Sequence, residues 1–387
     1  MERHHPERRC RGGGRALTTV LTVNTGSSSL KAHVVDAERH TVLAERSVSH
    51  PPSREETHAL LDDLLDAQSR SGDGPVDVVA HRLVHGGSDL RSATRVDDGA
   101  LRAAWRAAPL APSHVPTALR LLEFTRERLP DLPQVLCPDT AFHAALPAEA
   151  STYPLPEEWR KRYGLRRYGF HGLSYQWAVQ QATRLLPGGS DRLLLAHLGG
   201  GASVCAVRDG RSVDTSMGFT PLEGLAMTTR SGSIDPGLLL WLLTKDEPMS
   251  AADLAEGLYH RSGLLGLSGG RSADTRDLVR AAEDGDEASA LALAVFAHRA
   301  ARELAACATS LDRVDALVFT GEIGWDQPEV RTAICTRLAL LGVPDRLTGN
   351  RPDDGLLSPA DADVPVLVVQ AREELSLASE AVAALER

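Results

Sequence analysis

The chain has 387 residues, a hydrophobic content of 42% and a net charge of −10 at neutral pH. Its length favours about two domains, its composition is typical of a globular protein with a sizeable core, and its negative charge argues against a nucleic-acid-binding surface.

Three further features of the composition concern the compartment of the protein. No apolar run approaches the roughly 18 residues of a membrane span. The five cysteines are scattered and form no Cys-x-x-Cys pair, which indicates reduced thiols in a cytoplasmic protein rather than a disulfide framework or a zinc site. Residues 1–17 are basic and glycine-rich but lack the apolar core of a signal peptide, and we expect a disordered extension there.

An apolar run, a turn of one glycine and three serines, and a second apolar run open the first predicted domain. Gly26 permits a tight turn, in which the hydroxyls of Ser27 and Ser29 lie beside free backbone N–H groups. Such a turn can hold a phosphate, and Lys31 adds a positive charge behind it. Asn24 offers the neutral oxygen that hydrated magnesium accepts. A plain serine-rich hairpin turn explains this stretch equally well.

Strand-like runs then alternate with helical spacing through the first half of the chain. Strands are predicted at 41–50, 76–80 and 135–137, and helices at 55–69 and from the 110–116 loop to residue 129. Arg82 and Asp139 follow two of these strands. In open α/β sheets the carboxyl ends of the strands form the ligand-facing edge.

The second half repeats the opening design about 170 residues later, which indicates a duplicated domain with one phosphate-facing turn in each half. An apolar run ends in the sequence His197, Leu198, Gly199, Gly200 and Gly201, and a second apolar run follows it. Further strands are predicted at 316–320 and 364–369, a surface loop at 348–354, and helices at 237–243, 251–258, 287–310, from 328 and from 373.

Four side chains indicate chemistry, and each has a structural alternative. Arg82 and Arg230 could clamp a carboxylate or phosphate, although a salt bridge is the commoner role of a single arginine. Asp139 could be a general base or a helix cap. His171 could donate to a developing negative charge or serve the fold.

Together with the two glycine turns, these groups suit phosphoryl transfer, in which positioning and charge neutralisation supply most of the catalysis. The Gly-x-Ser-x-Gly spacing at Gly266–Gly270 follows a predicted helix and not a strand, so it is not a nucleophile elbow, and the sequence contains no P-loop signature and no dinucleotide-binding fingerprint. Acyl transfer from a nucleophilic serine therefore fits less well.

Seven stretches of the chain closely resemble the acetate kinase family, and they run in order over nearly the whole chain from about residue 19. They are Asn24–Lys31 (NTGSSSLK), Leu110–Pro116 (LAPSHVP), Pro138–His143 (PDTAFH), Arg167–Gly172 (RYGFHG), Asp214–Gly224 (DTSMGFTPLEG), Thr229–Pro236 (TRSGSIDP) and Glu373–Leu375 (EEL).

The resemblance implies a homodimeric kinase of the sugar kinase/Hsp70/actin superfamily. Such enzymes interconvert acetate and ATP with acetyl phosphate and ADP, using Mg²⁺, with Mn²⁺ as an alternative metal. The implied fold is α/β, with two duplicated actin-like (ribonuclease H-like) domains and an active-site cleft between them. The first would span residues 18–160 and be joined by the C-terminal helix at about 373–387, and the second, nucleotide-binding domain would span 161–372.

The resemblance also implies roles for matching residues. Asn24 and Glu373 would hold the metal, Asp139, His171 and Arg230 would be catalytic, and Arg82, His114 and Phe170 would bind the acyl substrate. The nucleotide would be contacted by Lys31, Ser27 and Ser29 and by three loops: His197, Leu198, Gly199, Gly200 and Gly201; Asp274, Thr275 and Arg276; and Glu322, Ile323, Gly324, Trp325 and Asp326. The family's proton donor and acceptor corresponds to Asp139. Because acetate is already ionised at neutral pH, we expect Asp139 to organise magnesium and water more than to abstract a proton.

Departures from the family pattern cluster on the nucleotide side. Gly200 stands in place of an asparagine, Glu322 in place of a glycine, Thr275 in place of a larger apolar residue, and Tyr175 in place of the usual histidine. Three hypotheses follow: an acetate kinase with altered nucleotide affinity or phosphoryl donor, a kinase of propionate or another short-chain acid, or a weakly catalytic homologue that binds a ligand or partner.

Overall fold

The computed structural model describes residues 18–25, 30–50, 52–71, 74–186, 188–359 and 361–387. The predicted N-terminal extension, and Ser27 and Ser29 of the predicted phosphate turn, lie outside the described residues. The strands are β1 (Thr19–Thr25), β2 (Leu30–Asp36), β3 (Thr41–Val48), β4 (Val78–Leu83), β5 (Thr94–Arg95), β6 (Gln134–Pro138), β7 (Arg192–Leu198), β8 (Ala202–Arg208), β9 (Arg211–Thr215), β10 (Ala316–Thr320), β11 (Gly355–Leu356) and β12 (Val366–Val368).

The helices connect these strands and cover the sheets. They are α1 (Arg54–Ser71), α2 (Asp98–Ala107), α3 (Val115–Arg128), α4 (Ala148–Ser151), α5 (Glu157–Tyr163), α6 (Gly172–Leu185), α7 (Pro236–Thr244), α8 (Ala251–His260), α9 (Gly263–Leu267), α10 (Thr275–Glu283), α11 (Glu287–Ala308), α12 (Gly321–Asp326), α13 (Pro328–Thr336) and α14 (Glu373–Glu386). Among the described residues, no helix has both the length and the apolar composition that crossing a membrane requires.

Two six-stranded sheets have the same topology. In the first, with order β3-β2-β1-β4-β6-β5, an antiparallel meander of β1 to β3 is followed by β4 and β6 parallel to β1 and by β5 antiparallel to β6. The second, with order β9-β8-β7-β10-β12-β11, repeats each relationship. The predicted α/β fold of two duplicated actin-like domains is confirmed.

Helices α6 and α14 lie between the two sheets. Helix α14 packs on β1, β4 and β6, α6 packs on β7 and β10, and the two helices pack on each other. Leu377 of α14 and Ala178 of α6 share one buried cluster with Val78 and Leu195, so a single apolar core connects both sheets. The C-terminal helix thus returns to the first sheet, while the domain boundaries proposed from the sequence stay a prediction.

The predicted strands at 41–50 and 135–137 differ from β3 and β6 by one or two residues at an end, and two others differ more. The strand expected at 76–80 is β4, Val78–Leu83, because the polar side chain of His81 is buried and its Nε2 pairs with Gln134 Oε1 at 2.6 Å. Hydrophobic periodicity gives no sign of such internal pairing. The strand expected at 364–369 is the shorter β12, and Pro365, which has no N–H to donate to a ladder, directly precedes it.

Candidate active site

Three parallel strands bring polar side chains to one edge of the first sheet. Asn24 is the penultimate residue of β1, Arg82 is the penultimate residue of β4, and Asp139 directly follows β6. Helix α14 begins at the same place with Glu373, whose carboxylate contacts both Asn24 and Arg82. Residues separated by up to 349 positions in the sequence therefore meet, as expected for the carboxyl ends of parallel strands.

Arg82 is at the centre of this group. Its Nη2 donates to Asp139 Oδ2 at 3.0 Å and its Nη1 donates to Asn24 Oδ1 at 3.2 Å. Its Nε lies 3.7 Å from Glu373 Oε2, which accepts a hydrogen bond from Asn24 Nδ2 at 2.9 Å. Burial alone would lower the pKa of Arg82, but the carboxylates of Glu373 and Asp139 outweigh it and raise the pKa. The guanidinium is therefore charged and fixed in position.

The carboxylate of Asp139 is only 1% exposed. Besides Arg82, it accepts hydrogen bonds from the backbone N–H groups of His171 at 3.0 Å and Leu173 at 3.3 Å, at the start of α6. A negative charge at a helix N-terminus is stabilised by the helix dipole. The structural alternative raised for Asp139, a helix cap, is thus present, and the same carboxylate also holds Arg82.

The imidazoles of His171 and His197 stack with ring centroids 4.1 Å apart and an interplanar angle of 21°. His171 has a left-handed backbone conformation (φ 58°), which is uncommon for a residue other than glycine. Burial, the neighbouring His197 and two arginines lower the pKa of His171 well below its usual value, and burial lowers the pKa of His197. Both rings are therefore neutral near pH 7.

Arg230 differs from Arg82 because no carboxylate lies within ion-pair distance of it in the part of the chain that the structure describes. Its Nη1 donates to the carbonyl oxygen of Pro221 at 3.1 Å, and burial lowers its pKa. A buried charge without a counter-ion is costly. An anion bound beside Arg230 would therefore be stabilised.

A cavity of about 360 Å³ lies where these groups meet. Its lining comprises Arg82, Val84, His114, Asp139, Phe170, His171, Gly200, Gly201, Pro221, Thr228, Thr229 and Arg230. The structure thus brings together the predicted acyl-binding and catalytic residues with the glycine turn of the second domain. Burial, followed by the nearby Arg230 and Arg82, lowers the pKa of His114 to about 4, so this wall of the cavity is neutral.

Four lining residues were given no role from the sequence: Val84, Pro221, Thr228 and Thr229. Val84 lies two positions after Arg82. Because side chains two positions apart in an extended chain lie on the same side, the sequence could have predicted Val84 beside Arg82. The other three belong to, or directly precede, stretches that resemble the family, but nothing in a single sequence distinguishes them from their neighbours.

The structure corrects two of the three predicted nucleotide loops. Glu322 to Asp326 form most of helix α12 rather than a loop. Asp274 is the N-cap of α10, so Thr275 and Arg276 are helical, and Arg276 Nη2 pairs with Asp274 Oδ2 at 2.7 Å. The family resemblance placed these residues in loops, whereas a helix cap and a short helix account for them. Only the 199–201 turn, between β7 and β8, is a true loop.

In the sequence, Glu322 stands in place of a family glycine. In the structure, the residue at the start of α12 that must be glycine is Gly321, one position earlier. Gly321 has φ of +79°, and a Cβ there would lie 2.5 Å from the carbonyl oxygen of Leu198. The end of α12 is held by Arg331, which no sequence signal singled out. Its buried guanidinium donates to the carbonyl oxygens of Gly324 and Trp325 at 3.0 and 2.7 Å.

The first domain contributes one predicted nucleotide contact within the described residues. Lys31 is exposed on β2 and lies opposite Asn24 in the β1–β2 ladder. Its charge is therefore next to the network that contains Asn24 and Arg82.

Comparisons with known proteins agree with this geometry. The model of the acetokinase family matches residues 43–379. The acetate kinase of Thermoanaerobacterium thermosaccharolyticum is 38% identical over 391 residues, covering 93% of this chain and 97% of the relative. The crystal structure of Porphyromonas gingivalis acetate kinase matches with a TM-score of 0.86 and 32% identity, over 95% of this chain and 100% of that one.

A propionate kinase from Francisella tularensis is also similar, with a TM-score of 0.84 and 30% identity over 94% of this chain and 98% of its own. The family match, the similarity over the full length and the shared architecture all lead to the same assignment. This chain is a member of the acetokinase family.

Proposed function

We propose that this protein is an acetate kinase, which transfers a phosphoryl group reversibly and in line between ATP and acetate to give acetyl phosphate and ADP. The observation that carries the proposal is the partly buried Arg230, without a carboxylate partner among the described residues, facing the same cavity as Arg82 and His171. Such a cavity is suited to an anion in transfer, whose charge lies on its equatorial oxygens.

Each side chain has a distinct task in this reaction. Arg82, held rigidly by Asp139 and Glu373, orients the acetate carboxylate for attack. Arg230 and the neutral His171 donate hydrogen bonds to the phosphoryl oxygens as charge develops on them. Phe170, only 1% exposed, forms an apolar wall for the methyl group. Acetate is ionised at neutral pH, so no base is required, and Asp139 serves to organise the metal, water and Arg82.

The residues available for a metal ion fit magnesium. Asn24 and Glu373 present an amide and a carboxylate beside Arg82, which lines the cavity, and Mg²⁺ is commonly held by one or two such oxygens together with waters and substrate phosphates. Among the described residues, no cluster of three or more His, Cys, Asp or Glu is placed to hold a metal ion. Bound magnesium would neutralise phosphate charge and orient the nucleotide.

The nucleotide would be bound by Lys31, the 197–201 turn, the start of α10 and helix α12. Thr228 Oγ1 donates to the carbonyl oxygen of Gly200 at 2.9 Å, which fixes the turn that faces the phosphates. Glu322 is exposed and adds a negative charge to this side. That charge favours the alternative of weakened nucleotide affinity or a different phosphoryl donor.

A specific observation favours a second candidate, a kinase of longer carboxylates. A neighbouring cavity of about 410 Å³ shares His114, Pro221, Thr229 and Arg230 with the site. Its remaining lining includes Leu110 and Ala255, which offer apolar surface to an acyl chain longer than acetate.

The assembly and location are also proposals. Helix α7 exposes Leu238, Leu240 and Trp241 by 44%, 64% and 59%, and an apolar surface of this kind supports a homodimer. Trp241→Glu should then yield a monomer in light scattering, and an unchanged mass would contradict this interface. Cys137, Cys205, Cys307 and Cys335 are free and buried, which supports a cytoplasmic location.

The deciding experiment traps acyl phosphate as its hydroxamate. Acetate, propionate and butyrate are each tested with ATP, GTP and pyrophosphate in the presence of magnesium. Product with acetate and ATP supports the proposal, a preference for butyrate supports the second candidate, and product with another donor identifies an altered donor. Absence of product with every pair would contradict both kinase proposals, and calorimetric titration with ADP would then test the weakly catalytic homologue directly.

A further inference from the structure

A short hydrogen-bonded chain connects the catalytic cavity with a buried phenol. Tyr175 of α6 is fully buried, and its Oη lies 2.6 Å from Ser203 Oγ on β8. The same Ser203 Oγ lies 2.8 Å from His171 Nδ1. The resemblance described above gives a histidine at position 175, so the phenol is a particular feature of this chain.

In the hydrogen-bonded series of Tyr175, Ser203 and His171, each hydrogen bond has one donor at neutral pH. Burial raises the pKa of Tyr175 well above its usual value, so the phenol keeps its proton. Among the described residues, Ser203 is the side chain that pairs with that hydroxyl, while the backbone N–H of His197 can only donate to it, and leaving a buried donor unpaired is costly. Tyr175 therefore donates to Ser203, and the single proton of Ser203 is left to donate to His171 Nδ1.

The proton of the neutral His171 ring must then lie on Nε2. This nitrogen faces the cavity, since a Cβ built on Gly201 would lie 3.1 Å from it and 3.6 Å from Arg230 Nη1. A donor at this atom points toward the space where an anion would lie, beside Arg230. The opposite tautomer would present a lone pair there and repel the anion.

We propose that Tyr175 is a positioning residue that acts through Ser203 to hold His171 as the neutral Nε2–H tautomer. The function of that donor, stabilising the transferred phosphoryl group, rests on the proposed kinase activity, whereas the tautomer itself does not. A histidine at position 175 can donate or accept through either ring nitrogen, while a buried phenol can donate but has no second tautomer. The tyrosine at position 175 thus allows only one tautomer of His171.

Tyr175 could instead serve only to fill the core, because its ring also packs near Phe142 and His143, with centroids 6.3 and 5.8 Å away. Tyr175→Phe separates the two roles, since it retains the ring and removes the hydroxyl. Tyr168→Phe is the matched control: Tyr168 is also buried, but its hydroxyl bonds to the carbonyl oxygen of Gly164.

The test measures the tautomer of His171 by ¹⁵N NMR of histidine-labelled protein, with the signal assigned by its loss in His171→Gln. We expect Nε2–H in the natural chain and in Tyr168→Phe, and conversion toward Nδ1–H in Tyr175→Phe. With acetate and ATP, Tyr175→Phe should lower kcat about tenfold, less than the roughly 10²- to 10³-fold cost of removing a transition-state donor outright, because part of the His171 population keeps Nε2–H, and it should leave KM for acetate within about twofold. Tyr175→His, whose ring can donate or accept, should give a tautomer population and a kcat between those of the natural chain and Tyr175→Phe.

Nδ1–H in the natural chain, or an unchanged tautomer in Tyr175→Phe, would overturn the proposal. Should Tyr175→Phe not fold, Ser203→Ala gives the same result, because it breaks the chain at its middle atom. An enzyme inactive with every substrate would refute the proposed function and still leave the tautomer measurement to decide this inference.

Discussion

The acyl side of the site and the nucleotide side are built in different ways. On the acyl side, Asn24, Arg82, Asp139 and Glu373 come from four separate elements and bond to one another in a buried network. On the nucleotide side, Asp274 and Arg276 form a local, exposed pair within one helix end, and Glu322 is exposed.

This difference accounts for two of the four departures from the family pattern, those at Gly200 and Glu322. A change at Arg82 would leave the buried Asp139 and the partly buried Glu373 without their positively charged partner, which destabilises the fold as well as the site. A side chain at Gly200, by contrast, would have no atom within 4 Å, and Glu322 is exposed. Substitutions there alter ligand binding at little cost to the fold, so the nucleotide side can change while the acyl side cannot.

The largest effect is expected from Arg82→Gln. The substitution removes the charge that orients acetate and leaves Asp139 and Glu373 unpaired, so kcat/KM should fall by about 10³-fold or more. The free energy of unfolding should fall by about 3 kcal/mol, the cost of breaking a buried ion pair. Acyl hydroxamate assays and urea unfolding measure the two effects.

Arg106→Gln is the control for this variant, because Arg106 pairs with Asp89 on the surface. An exposed pair contributes less than about 1 kcal/mol. If Arg82→Gln were no more destabilising than Arg106→Gln, the buried network around Arg82 would not stabilise the fold.

A smaller effect is expected from Asp139→Asn. The amide retains the shape of the carboxylate but loses its charge toward Arg82 and the start of α6, and we expect kcat to fall by about 10- to 100-fold. Because acetate needs no deprotonation, substantial turnover should remain at saturating magnesium. Loss of all activity under that condition would instead support proton transfer by Asp139.

The sequence predicted the framework of the fold well because its signals are local. Alternating apolar runs gave most strands and helices, and glycine turns about 170 residues apart gave the duplication. Residue types at strand ends also indicated Asn24, Arg82 and Asp139, since parallel strands must bring their carboxyl ends to one edge.

The features that the sequence did not predict depend on contacts between residues that are distant in the sequence and meet only in the folded chain. The polar His81 is inside β4 because Gln134 on β6 satisfies it, and no local pattern predicts that partner. Glu322 to Asp326 are helical because Gly321 packs against Leu198 and Arg331 holds the last carbonyl groups. The hydrogen-bonded chain of Tyr175, Ser203 and His171 likewise connects separate elements.

On the nucleotide side, Glu322→Gly should improve ATP binding rather than impair it. Removing a negative charge near the proposed phosphate site should lower KM for ATP by about five- to tenfold, a change of about 1 kcal/mol. Stability should change little, because position 322 is exposed and Gly321 supplies the required backbone turn. Steady-state kinetics with ATP measures the effect.

Glu322→Gln separates charge from size in this experiment. An equal improvement in both variants would attribute the effect to charge, whereas an improvement only in Glu322→Gly would attribute it to the side chain's bulk. A higher KM for ATP in both would contradict the view that Glu322 weakens the nucleotide side.

The smallest effect concerns the pH dependence of stability that the buried His81 causes on the acyl side. Burial lowers the pKa of His81, on the same strand as Arg82, to about 4, whereas a histidine in the unfolded chain has a pKa of about 6.5. Between these values the unfolded chain binds a proton that the folded chain does not. The contribution of His81 to stability is therefore complete above the unfolded pKa and declines as the pH falls toward 4.

His81→Gln should remove this dependence on pH and keep a donor for Gln134. Between about pH 7 and about pH 5.5, its free energy of unfolding should decline by about 1 kcal/mol less than that of the natural chain. Urea unfolding at the two pH values measures the difference, with His260→Gln, at an exposed histidine on α8, as the control for loss of a histidine. Parallel declines in the natural chain and in His81→Gln would show that the first sheet does not bury His81 as a neutral group, and the acyl side would then owe its rigidity to the Arg82 network alone.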